Sequence, residues 1–527
     1  MKNTRKIIAL LLATLMMLTL FAACKKEPAA PGTSTPGTST PNGDAPEATT
    51  GSNSDRTLNV VAMQDSGTLH PLGVTGGFLN SLYAFYEPLY DTRADGSRMW
   101  MLATALDRIS DIQYTLTIRE GVTFSNGNPL TAEDVMFSME LCAADPQFAL
   151  NVKVVDFEKT SVTGDYTIDL WYTSYNASQE PGFASMFIID KESYDEVALA
   201  SQPVGTGPYV VEDYVTNSHL TLSAREDYWG GEVAVKNLRF IVINEEAQIV
   251  NALETGDADI ANVPIADVDY VKSLGYNVEV TNAGYNYVTM YSLLPGTPLE
   301  SKEARWAVSM AINREAIIDV IYDGYSTITD YPSSHGMADM EDRYLNMHET
   351  YSTGYDPTRA AELAEQAGIV GSKLRIITNG ATATNTIAEM IQADLLAIGV
   401  NAEIVNYDQA TYFGTLMDAS NFEIAIFTPS APSMLAVDIL AMYLTFIPLG
   451  WEGADRDLYG ELSQDAIATY DAKERGEKLY EALKIFVDYD PWYGLCEIVN
   501  SRAVSADLNG VEYMIAGNLY YHNISFK

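Results

Sequence analysis

The sequence predicts an α/β protein. Apolar segments with strand period alternate with segments of helical period along most of the chain. One complete βαβ pattern lies between Leu374 and Asn406. With 47% of its residues apolar, the chain can build more than one hydrophobic core.

The first residues stand apart from that body. Lys2, Arg5 and Lys6 precede an apolar run from Ile7 to Leu20, so 1–23 reads as an export signal too short for a comfortable membrane span. It ends in Leu20-Phe21-Ala22-Ala23-Cys24, small residues before a cysteine as in a lipoprotein signal, with Phe21 bulkier than usual. Cys24 is therefore the expected lipidation site, and the lipid the expected membrane contact. Residues 24–56 repeat Pro-Gly-Thr-Ser-Thr at 31–35 and 36–40 and bury too little apolar surface to fold, so they read as a flexible tether.

Along the body, Leu58 to Met63 reads as a strand, followed by a turn-rich loop from Gln64 to Pro71 and a helix from Phe78 to Tyr86. Tyr114 to Arg119 alternates as a strand, and Asn126-Gly127 marks a tight turn. Thr131 caps a helix to Cys142, with Asp134 at the capping-box position. Helices follow at Ala247 to Thr255, stopped by Gly256, at Arg305 to Ile312, and from the Asn313 cap to Tyr322. Asp356-Pro357 opens another that Gly368 closes. The βαβ unit then places strands at Leu374 to Thr378 and Ala402 to Asn406 around a helix from Ile387 to Ile398.

With 71 acidic and 31 basic residues, the net charge of −40 repels polyanions and excludes nucleic acid as a partner. The five histidines show no metal-ligand spacing and no Gly-x-Ser-x-Gly elbow is present, so no metal, cofactor or catalytic residue is expected. Cys142 and Cys496 lie far apart without a partner motif and are expected to be free, buried thiols.

Several segments together resemble the large extracellular solute-binding proteins of the oligopeptide, dipeptide and nickel ABC importers, family 5. They are Gly205-Thr206-Gly207-Pro208-Tyr209 with Asp227-Tyr228-Trp229-Gly230-Gly231, Ile118 to Gly127 with Leu130 to Val135, Ala252 to Ile260, Arg305-Trp306-Ala307 with Ala311 to Glu315, and Tyr355 to Gly368. The resemblance implies a type II periplasmic-binding-protein-like fold, two lobes around a cleft plus an extra small domain. Domain I would comprise 57–94, 200–290 and 498–527, domain II 95–199, and domain III 291–497. It also implies a monomer on the extracellular face of the membrane that captures a small solute, peptide or peptide-like, for ABC permease subunits with cytoplasmic ATPases. An oligosaccharide receptor on the same fold, or an exported hydrolase, are the alternatives.

A receptor needs backbone groups, a few charges and aromatic walls rather than a nucleophile. One candidate wall is Gln64, Asp65, Ser66 and Thr68, after the first strand. Opposite it stand Phe427, Thr428, Ser430 and Ser433, after a strand at Phe422 to Ile426. Peptide-binding relatives carry a tryptophan and an amine-pairing aspartate here; this chain has Phe427 and Ser430, with Asp438 or Asp65 as substitutes. Near the expected crossings lie Asn286, Tyr287, Tyr407, Asp408, Trp451, Trp492, Tyr493, Glu497 and Asn500.

Overall fold

The computed structural model describes residues 56–527 except 75–77, 331–333, 345–346, 352, 430–432 and 447–449, and leaves out the side chains of 349–350 and 442–446. The export signal, Cys24 and Ser430 thus lie outside the described residues.

Local rules account for most elements. Asp356 caps the helix Pro357–Gln366 by accepting from Arg359 N, and Asn313 caps Arg314–Tyr322 by accepting from Ala316 N. The capping box at Thr131 forms, with Asp134 Oδ2 accepting from Thr131 N at 2.8 Å, and opens Ala132–Ala144. Gly256 takes the left-handed conformation that ends Glu246–Thr255. The helices Lys302–Ala311 and Thr382–Ala397 begin earlier than their periodicity indicates. One expectation fails: instead of a helix from Phe78 to Tyr86, only Leu79–Leu82 is helical. The carbonyls of Ala84 and Phe85 instead accept from Tyr209 N at 2.9 Å and Gly207 N at 3.0 Å. A Cβ at Gly205 would overlap the Phe85 carbonyl oxygen, so the glycines of this motif allow two backbones to touch.

Among the described residues a ten-stranded sheet runs in the order Asn401–Asn406, Lys373–Thr378, Ile424–Phe427, Asn277–Tyr291, Trp492–Val504, Ile260–Asn262, Thr57–Ala62, Asn237–Val242, His219–Ala224 and Tyr209–Val215. The long strands Asn277–Tyr291 and Trp492–Val504 pair antiparallel and join two half-sheets. The second half-sheet, with helices between 302 and 489, shares one core that includes Ile376, Phe427, Phe486 and Trp492. The first half-sheet is covered on one face by a core containing Val60, Tyr209 and Tyr520 and on the other by one containing Ile249 and Val271. A separate four-stranded sheet, Ala103–Arg108, Gln113–Ile118, Thr167–Trp171 and Ser161–Gly164, has its own core around Leu116, Val135 and Phe183. Cys142 and Cys496 are buried and free. No described helix is long and apolar enough to cross a membrane.

Strand direction locates the cleft. In the first half, Thr57–Ala62 runs parallel to Ile260–Asn262, whose Asn262 faces Arg502. In the second, Ile424–Phe427 runs parallel to Lys373–Thr378, and Phe427 faces Val288. The carboxyl ends of both sets therefore converge on the middle of the two crossover strands, where open α/β sheets bind ligands. There the register shifts between Asn282 and Asn286, a bulge that leaves backbone and side chains unpaired by the ladder.

Candidate functional site

Gly284 sits in this bulge at φ +80, where a Cβ would run into Met434 Cε. Gly336 packs against it, and Ala338 N donates to Met434 O at 3.0 Å, so two loops of the second half lie directly on the bulge. Against them open a cavity of about 450 Å³. Its floor is Glu279, Thr281 and Arg502 of the crossover strands; one wall is His335–Ala338, and the other is Asp95, Gly96 and Tyr513 to Gly517. A second opening of about 530 Å³ shares His335 but is lined by residues 315–335 of the second half alone, so it cannot clasp a guest between two walls.

Arg502 is the distinctive group. Its guanidinium lies 4.3 Å from the Tyr513 ring centroid, and its Nη1 reaches Thr281 Oγ1 only at 3.5 Å. Among the described residues no carboxylate comes within 4.0 Å of it. Burial pulls its pKa below the usual arginine value, opposed by the neighbouring Tyr513 and by Glu279, which faces it across the strand pair. A half-buried guanidinium that faces Glu279 across the ladder but makes no ion pair within 4.0 Å among the described residues is a candidate partner for an anion.

His335, on the wall of the second half, rests on a buried carboxylate. Glu497 is fully buried and accepts from Thr327 Oγ1 at 2.7 Å, Ser334 Oγ at 3.0 Å, and both the backbone N and Nδ1 of His335. Burial raises the Glu497 pKa, but these bonds outweigh it and hold it below the usual value. The same bond to Glu497 raises the His335 pKa against partial burial.

The residues picked from sequence divide three ways. Gln64 is exposed, Ser66 and Thr68 are half-buried, and Thr68 Oγ1 accepts from His70 N in a turn. Asp65 is held away from the cavity by Tyr214 OH at 2.6 Å and Asn217 N at 2.6 Å, so this loop bends toward the hairpin Tyr209–Ala224. Phe427, Trp492, Tyr493 and Trp451 belong to the core: Phe427 meets Trp492 at 5.8 Å, Tyr493 lies against His348 and Arg314, and Trp451 stacks on Tyr489. Asn286 is buried and donates to Thr329 Oγ1, while Tyr287 is half-buried on the same core. Tyr407 and Thr428 are half-buried at carboxyl ends of the second half-sheet, Asp408 caps the helix Gln409–Leu416, and Ser433 Oγ donates to Asp438. Asn500 pairs with Thr281 and lies two residues from Arg502, so it shares the cavity face. Glu497 thus lies beneath the His335 wall and Asn500 on the same strand face as Arg502, although neither lines the cavity itself. Arg502, His335 and Glu279 were not anticipated; the available signal was Gly284, a glycine isolated in a strand pattern and hence a bulge marker.

Residues 101–445 match the family model described as bacterial extracellular solute-binding proteins, family 5 Middle. The chain is 26% identical over 381 residues to the nickel-binding periplasmic protein of Escherichia coli (strain K12), covering 67% of this chain and 71% of that protein. It is 26% identical over 341 residues to di/tripeptide-binding protein 1 of Pseudomonas aeruginosa (strain UCBPP-PA14), covering 57% and 61%. In fold it is similar to the ABC transporter substrate binding protein CtaP from Listeria monocytogenes, with a TM-score of 0.77, 21% identity and coverage of 89% and 99%. It is likewise similar to the oligopeptide-binding protein AppA from Bacillus subtilis in complex with a nonapeptide, with a TM-score of 0.71, 18% identity and coverage of 90% and 99%. These are type II periplasmic-binding-protein folds, and the chain belongs to the bacterial extracellular solute-binding proteins of family 5, which bind a solute rather than transform it.

Proposed function

We propose that this chain captures a small, carboxylate-bearing solute, a peptide or peptide-like compound, in the interlobe cavity and delivers it to the permease subunits of an ABC importer. The carrying observation is Arg502, a half-buried cation that lines a two-walled cavity and has no carboxylate within 4.0 Å among the described residues. Domain III (291–497) would close against domain I (57–94, 200–290 and 498–527) about the crossover strands, and the guest would stabilise the closed state by touching both walls. The run Ala22-Ala23-Cys24 and the tether behind it support anchoring by lipid at the outer face of the membrane. The di/tripeptide-binding relative favours a peptide. The nickel-binding relative favours a second reading, a metal chelate presenting carboxylates to the same arginine.

Native mass spectrometry of freshly purified protein, with release of the bound molecule, identifies the guest. A free carboxylate is expected, with or without a metal to separate the two readings. In calorimetry with that guest, Arg502→Met should weaken binding by about 10- to 150-fold, the equivalent of a charge-assisted hydrogen bond worth about 1.5–3 kcal/mol. A guest lacking an anionic group, or an unchanged affinity, would refute the assignment.

A further inference from the structure

The small four-stranded sheet is inserted in the chain between segments of the first half-sheet, and it reaches the second half in sequence only by way of that half and the crossover strands. Covalent connection therefore does not force it against the second half. Nevertheless four contacts tie the two together. Ala177 N donates to Ile467 O at 2.8 Å. The Tyr175 ring meets Tyr470 edge-on, with centroids 5.5 Å apart. Arg108 places its guanidinium carbon 3.9 Å from the centroid of the same Tyr470 ring. Lys153 Nζ lies 3.4 Å from Asp438 Oδ1, in a pair whose side chains are only 26% and 16% exposed.

The segment that makes the first two contacts is built to project. Residues 173–178 leave the small sheet after the strand Thr167–Trp171, and Asn176 Oδ1 braces the turn by accepting from Ser178 N at 2.9 Å and Ser178 Oγ at 2.6 Å. Ala177 is buried within the core of the second half, and Tyr175 packs on that core, whereas Tyr172 and Phe183 on either side belong to the core of the small sheet. One short tongue thus moves from one core to another and back.

We infer that the tongue at 173–178, with Arg108 and Lys153, is a latch that holds the small sheet against the second half without any guest, so that the empty receptor already rests in a closed arrangement. This rests on the hinge reading proposed above. A contact made only in the closed arrangement shifts the equilibrium by its own differential free energy, just as a ligand does. Opening then requires the hydrogen bond, the ion pair and the Tyr470 contacts to part together. The guest adds to a closed population that the chain itself maintains, and release needs a force that breaks the latch.

The test compares the empty wild-type protein with the variant Arg108→Ala, Lys153→Ala, Tyr470→Ala. Tyr470 is 48% exposed, so its truncation opens no core. Hydrogen exchange is followed on a peptide covering 173–178, and small-angle scattering on the intact chain. The latch predicts a protected Ala177 amide in the wild type, exchange faster by about tenfold or more in the variant, and a larger radius of gyration for the variant. Rapid exchange at Ala177 in the empty wild type would overturn the latch and leave the hinge standing. Equal protection and equal scattering in both proteins would overturn the latch and leave the hinge standing, because the variant does not touch the crossover strands.

Discussion

The pair beneath the cavity wall gives a worked prediction. His335→Ala removes one of four hydrogen bonds to the fully buried Glu497 carboxylate, leaving Thr327, Ser334 and the backbone N of residue 335. Glu497 has a lowered pKa, so its contribution is present above the unfolded value of 4.5 and fades as pH falls through the folded one. His335 has a raised pKa, so its contribution is complete below the unfolded value of 6.5 and is lost as pH rises through the folded one. The two overlap fully between 4.5 and 6.5. A hydrogen bond to a charged group contributes about 1.5–3 kcal/mol. The imidazole is 33% exposed, so solvent screening favours the lower end, about 1.5–2 kcal/mol. For an unfolding unit of about 200 residues that is a drop in Tm of about 3–8 °C at pH 6. A measurement at pH 9 samples the side on which the ion pair fades, where the loss approaches that of an uncharged hydrogen bond, about 0.5–1 kcal/mol. Scanning fluorimetry of wild type and variant at both values reads the difference. His335→Gln, which keeps a neutral donor, should recover most of the loss at pH 9 and little at pH 6. An identical Tm deficit at pH 6 and pH 9 would refute the ion-pair account.

Glu87 is fully buried, and burial raises its pKa to about 7 against the bonds donated by Tyr228 OH and Trp229 Nε1. The folded state then holds a proton that the unfolded state releases between pH 4.5 and 7, so stability falls as pH rises across that window. Glu87→Gln should flatten the slope in urea titrations at pH 5 and 8, and an unchanged slope would reject this. Gly205→Ala should cost about 1–3 kcal/mol or prevent folding, because its Cβ overlaps the Phe85 carbonyl oxygen. A variant melting within 1 °C of the wild type, on the ~2–4 °C per kcal/mol expected for units of this size, would contradict the close approach.

Elements fixed by neighbours in sequence were legible. Asp356-Pro357, Asn313 and Thr131 each satisfy helix-end donors a few residues away, and each marks a boundary the structure keeps. The helix expected to Tyr86 failed because Gly207 N and Tyr209 N, far along the chain, take the carbonyls of Phe85 and Ala84. The same distance effect misplaced the aromatic candidates. Trp492 and Tyr493 read as rim residues, yet six successive residues from Trp492 are buried, because the crossover strand is covered on both faces. Position near a crossing is a chain-order property, so Glu497 and Asn500 could be placed beside the crossover strands from sequence. Arg502 was missed because which face of a long strand meets a cavity depends on register, and the bulge at Asn282–Asn286 alters that register.

The net charge of −40 misdirects for a related reason. Composition sums every group, whereas recognition depends on the few that remain uncompensated where solvent is excluded. At physiological salt, exposed charges are screened beyond about 8 Å, so the acidic shell sets solubility and the long-range field. Inside the cavity the balance differs. Glu497 is neutralised locally by His335 and three further donors, while Arg502 has Tyr513 and Thr281 beside it and no counter-ion within 4.0 Å among the described residues. An anionic group entering there trades water for a guanidinium already partly stripped of it, so the arginine's desolvation cost has been met by folding rather than by binding. On the proposed reading, an acidic protein selects an anionic guest through a cation placed at the hinge, where both halves of the sheet end and the facing Glu279 stays beyond ion-pair distance.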